Sequence, residues 1–116
     1  DSLAGLALTA LAQGDLANAT TLAERCLAWL QAHGAAGIEF PILLYLICYQ
    51  VLTAAPTLTT LAPATVLQDG YMLLQERAIK IQDTALRRQF LENVWFNREL
   101  LKCWEEYTQR QERLRD

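Results

Sequence analysis

Serine occurs once in this chain of 116 residues, at Ser2, and histidine once, at His33. A serine hydrolase needs an interior serine with a histidine in reach. Ser2 stands at the chain's start and His33 falls in a helix's last turn, so that chemistry is excluded. There are three cysteines, Cys26, Cys48 and Cys103, odd in number and far apart, with no Cys-x-x-Cys or Cys/His spacing. Neither a disulfide framework nor a zinc site is expected, and free buried thiols are the reading. Three prolines and five glycines exclude low-complexity and fibrous classes, and no Gly-rich phosphate loop is present. No cofactor, metal site or enzymatic activity is expected.

Long apolar runs are scarce too. The strongest, Phe40 to Ala55, spans 16 residues with Pro41 at its start and Gln50 inside. It is short for a membrane span and suits a helix packed between neighbours. Basic residues are almost missing from the first half, where only Arg25 precedes Arg77. Five acids (Asp1, Asp15, Glu24, Glu39, Asp69) complete the charge of the first 75 residues. Such a poorly charged half implies a surface covered by something, as in stacked helical repeats. From residue 76 onward nine basic residues face eight acids, so no uncompensated basic stripe exists for nucleic acid. Glu99 with Lys102, and Glu106 with Arg110, stand at helix-pairing distance.

What the chain does have is helix-forming composition and repeated helix punctuation. Six helices are predicted: Ser2–Gln13, Leu16–His33, Pro41–Ala55, Ala64–Ile81, Thr84–Glu92, and Arg98 to near the end. Leu3, Leu6, Ala7 and Ala10 mark one face of the first. Leu22, Cys26, Trp29 and Leu30 form the stripe of the second, which Asp15 caps and Gly34 stops. Pro41 suits the first turn of the third helix, Thr60 is a candidate cap for the fourth, and Asp83 caps the fifth. Asn93 to Asn97 interrupts the pattern before the sixth helix, whose stripe is Leu100, Trp104, Tyr107 and Leu114.

The small residues Ala7, Ala10, Ala19, Ala23 and Cys26, with Leu6 and the Gly14-Asp15 turn between them, let two antiparallel helices approach closely. This spacing resembles one tetratricopeptide (TPR) unit, a helix, a Gly-Asp turn, then a helix with Ala-x-x-x-Ala-x-x-small. Three hairpins of roughly 34 to 47 residues fit repeat periodicity. The expected fold is all-α: a single TPR-like superhelix of three antiparallel helical hairpins over residues 1–116. TPR domains that grip a peptide carboxylate use Lys and Arg on the first helix of each hairpin. Ser2–Gln13 and Pro41–Ala55 contain neither, which leaves Arg87 and Arg88 as the only candidates.

A second resemblance lies toward the end. Leu74-Gln-Glu-Arg-Ala78, Leu86-Arg-Arg-Gln-Phe-Leu-Glu-Asn-Val94 and Asn97-Arg-Glu-Leu100 look like a C-terminal segment that follows TPR-like repeats in large bacterial signalling ATPases and transcriptional activators. That family usually has Pro after the Asn-Val pair, where this chain has Trp95. The resemblance implies a helical interaction or self-association scaffold in a cytoplasmic regulator, and the start at Asp1-Ser2 reads as a cut from a longer polypeptide. A groove that binds a peptide or small ligand is the alternative. The expected partners are proteins, either upstream repeats of the parent chain or a second copy in a homodimer, with no nucleic acid and no membrane. Leu3, Ile42, Trp95, Phe96, Trp104 and Tyr107 are the candidate interface residues, since aromatics are enriched in interface hot spots.

Overall fold

The computed structural model describes residues 2–115, which are all-α. The helices are α1 (Ser2–Ala12), α2 (Leu16–His33), α3 (Pro41–Ala54), α4 (Pro63–Ile79), α5 (Thr84–Asn93) and α6 (Trp95–Arg115), with a 3-10 turn at Pro56–Leu58. The first turn forms as its residues dictate. Gly14 takes φ +78°, its N–H donates to the Leu11 carbonyl, and the Asp15 N–H reaches back to Ala10 at 2.9 Å. These two bonds satisfy carbonyls left open at the end of α1. The Asp15 side chain then accepts from the Asn18 N–H and starts α2.

That tight turn brings α1 against α2 through the small residues. Ala7, Ala10, Ala19, Ala23 and Cys26 are all buried in one core with Leu22 and Leu30. Leu6 is not part of this seam. It lies 56% exposed, one position off the buried face that Ala7 and Ala10 define. Trp29 likewise leaves the expected stripe of α2. Its ring stacks on His33 at 4.4 Å, while His33 Nδ1 donates to the Trp29 carbonyl at 3.0 Å and closes the last turn.

The third helix is the centre of the molecule. It packs against α1, α2, α4 and α6. Leu44, Ile47, Cys48, Val51 and Leu52 enter the core shared with α1 and α2. Ile42 and Leu46 enter a second core with Leu67, Leu74 and Leu100 of α4 and α6. The candidate interface residue Ile42 is therefore a core residue, because a helix enclosed on several sides has no outer face for it to occupy. At Gly70 the α3–α4 crossing is so close that an added Cβ would lie 2.9 Å from Tyr45 Cβ.

The α3–α4 connection is held differently from the sequence expectation. Ala62, not Thr60, precedes α4, and no side chain caps that helix. Thr59 does the work in this loop, donating to Glu24 Oε2 at 2.7 Å and accepting from the Leu61 N–H. Beyond α4, Asp83 accepts from the N–H groups of Ala85 and Leu86 and caps α5. In the last hairpin α6, rather than α5, makes the main contact with α3 and α4. The ion pairs formed among the described residues are Glu76–Lys80 and Arg88–Glu92, not those at Glu99 or Glu106, and both lie in solvent where they contribute little.

Three substitutions test this packing. Ala19→Leu or Ala23→Leu should lower stability by about 1–3 kcal/mol in urea denaturation, because added methylenes have no room in a small-residue seam. Gly70→Ala should lower it by about 1–2 kcal/mol, the crowding against Tyr45 outweighing the roughly 1 kcal/mol by which alanine favours a helix. A gain in stability for Gly70→Ala would show that α3 and α4 can separate freely.

Candidate functional site

The α5–α6 junction builds the most exposed aromatic cluster of the fold. Val94 is the single non-helical residue there, with extended angles of φ −82° and ψ 114°, so α6 begins at Trp95 instead of near Arg98. Its carbonyl accepts from the Arg98 N–H as the first bond of α6. Trp95 thus stands at the first helical position, the position that suits the proline of the resembling segment. The sharp bend leaves carbonyls open at the end of α5, and side chains of α6 satisfy two of them. Asn97 Nδ2 donates to Phe90 O at 2.9 Å, and an Arg98 guanidinium N–H donates to Glu92 O at 3.1 Å.

Asn97 is fully buried, and the sequence pattern placed it at the edge of the break without giving it a role. A buried amide at a one-residue break between two helices is the signal that could have found it. Its bond fixes the angle at which the following helix leaves, and so fixes Trp95 and Phe96. Phe96 is half-buried against the second core, whereas Trp95 is 56% exposed. The two rings meet edge-to-face at 5.6 Å, and Phe96 meets Phe40 at 5.9 Å. Phe40, the residue before Pro41, is itself 51% exposed. Trp95, Phe96 and Phe40 therefore form one apolar edge contributed by two helix starts.

The other candidates lie elsewhere. Trp104 stacks on Tyr71 of α4 at 4.5 Å, with Tyr107 at 5.8 Å, and both pack on the second core. Their role is to fasten α6 to α4. Leu3 is half-buried on the first core and lines a cleft of about 460 Å³ with Cys26, Trp29, Ile38, Glu39 and Leu44. Arg87 donates to the Ile81 carbonyl at 2.9 Å and Arg88 pairs with Glu92, so neither is a spare cation for a carboxylate.

Cys26 and Cys48 share the α2–α3 seam. Both are buried, and Cys48 Sγ lies 3.8 Å from the carbonyl of Ala23, one turn before Cys26. The neighbouring Cys48 thiol holds Cys26 below the ordinary thiol range against the opposing effect of burial, while Cys26 and burial push Cys48 up. Cys103 is pushed up by burial and by the Glu99 carboxylate. Among the described residues no group of three or more His, Cys, Asp or Glu side chains is placed to hold a metal, and no helix is long and apolar enough to cross a membrane.

Fold and site together define an all-α domain of helical hairpins with an apolar aromatic edge. A family model, TP_0123_C, described as a C-terminal domain, matches residues 4–106, and the chain belongs to that family. No curated protein and no solved structure matches the chain.

Asn97→Ala should cost about 1–3 kcal/mol, the penalty for a buried carbonyl left without its donor. Thermal denaturation of the variant checks this. An unchanged midpoint would mean that α5 holds its angle without the amide.

Proposed function

We propose that this domain is a protein–protein interaction scaffold that self-associates within a larger bacterial regulator of signalling or transcription. The observation that carries the reading is the Phe40–Trp95–Phe96 edge, where two rings are more than half exposed at the meeting point of two helices. Rigid aromatic rings with few rotatable bonds lose little entropy when covered, which suits them to anchoring a partner. Arg98, the nearest cation in sequence, is turned to the α5 carbonyl, so contact at this edge is apolar rather than ionic. The regulatory setting and a cytoplasmic location rest on the likeness of the 74–100 segment to the C-terminal part of such regulators. Catalysis and nucleic-acid binding are not part of the proposal.

Of the candidate interface residues, Leu3 and Ile42 lie outside this edge, since Leu3 is half-buried on the first core and Ile42 is enclosed in the second. A second copy meeting the aromatic edge in a twofold arrangement covers the same patch twice. Sedimentation equilibrium tests this directly. The domain should dimerise at micromolar concentration, with little change in high salt. Trp95→Ser should weaken dimerisation at least about tenfold, as hot-spot truncations do, while changing stability by no more than about 0.5 kcal/mol. A monomer at high concentration, or a dimer indifferent to Trp95→Ser, rejects self-association through this edge.

A further inference from the structure

We propose that Cys26 and Cys48 form an oxidisable dithiol, in which Cys26 is attacked by a small hydroperoxide entering the cleft beside it and Cys48 resolves the product to a disulfide. Three placements support the assignment. Cys26 lines the cleft between α2 and the 35–40 loop, together with Leu3, Trp29, Ile38, Glu39 and Leu44. Cys48 lies behind it, wholly buried on α3, so a reagent in the cleft meets Cys26 first. Cys48 Sγ donates to the carbonyl of Ala23 at 3.8 Å, one turn before Cys26 on the same helix, so directly packed helices bring the two side chains to one place.

The chemistry balances without a metal. The Cys26 thiolate attacks one peroxide oxygen, an S–O bond forms, and the O–O bond breaks. Sulfur loses two electrons and becomes a sulfenic acid, and the departing hydroxide takes a proton from solvent to give water. The Cys48 sulfur then attacks the Cys26 sulfur. The S–S bond forms, the S–O bond breaks, and the Cys48 proton leaves with the hydroxyl as a second water. The order suits the pair, because Cys26 lines the cleft and Cys48 lies buried behind it. A small thiol such as glutathione restores the dithiol by exchange.

Cys103 is an internal comparison. It is more exposed than either partner, but it sits 3.9 Å from the Glu99 carboxylate and has no neighbouring thiol. The folded domain is treated with a low excess of hydrogen peroxide, denatured, alkylated and mapped by mass spectrometry. Cleavage after Glu39 separates the two cysteines along the chain. The expected product has lost two hydrogens, and its Cys26 and Cys48 peptides remain joined. Cys26 should react at least about tenfold faster than Cys103, as a thiolate does beside a protonated thiol. In Cys48→Ser the reaction should stop at a Cys26 sulfenic acid that a cyclic diketone traps. The wild-type map decides the matter even if that variant folds poorly. Peptides that separate after oxidation, or oxidation of Cys103 ahead of Cys26, would overturn the proposal.

Discussion

The rest of the structure depends on the enclosure of α3. Eight of its fourteen residues are buried, from Pro41 through Leu52, and all of these but Pro41 divide between two cores. Each fully buried aliphatic side chain contributes about 1.5–3 kcal/mol, so this one helix supplies much of the apolar burial that offsets chain entropy. A charge on it would have to be desolvated without a partner, which costs far more than one such contact provides. The paucity of charge before residue 76 is in good part this requirement. It reflects a helix covered within the chain itself, with α1 and α2 on one side and α4 and α6 on the other.

Enclosure also explains which parts of the fold could be read from residues alone. The α1–α2 hairpin was legible because Gly14, Asp15 and the alanines each act locally, through a positive φ, a cap and a lack of bulk. Asp83 was legible for the same reason. Ile42 was not, since a helix apolar on nearly every side has no periodicity to say which residues face which neighbour. Leu6 was missed by one position, a step of about 100° on a helix, enough to move a side chain from seam to solvent. The break between α5 and α6 was seen but drawn too wide. Val94 interrupts the chain without glycine or proline, and what makes so short a break tolerable is the Asn97 amide on Phe90 O, a bond between residues seven apart.

The candidate sites were less legible than the fold, and for a physical reason. Trp95 and Phe96 could be flagged as aromatics at a junction, and the helix geometry separates adjacent side chains so that one ring packs while the other faces out. Phe40 could not be joined to them, because 55 residues of chain lie between and only the packing of α3 against α6 brings the rings to 5.9 Å. The thiol pair was hidden in the same way. Cys26 and Cys48 have no motif spacing, and they come to the same seam only because α2 and α3 pack side by side.

Both features are consequences of where α3 lies. Its α2-facing side brings Cys48 to Cys26, and the residue just before its start brings Phe40 to Phe96. The thiol pair sits in close packing among the small residues of α2, with Cys26 on the wall of the cleft and Cys48 behind it. The aromatic edge is the opposite case, apolar area at the ends of two helices where no third element arrives to cover it. A helical hairpin stack buries its interior faces well and its helix starts poorly, since each turn must return to solvent to satisfy its backbone. Large rings at such a start keep an apolar surface in water, where a partner can reach it, without weakening the core beneath.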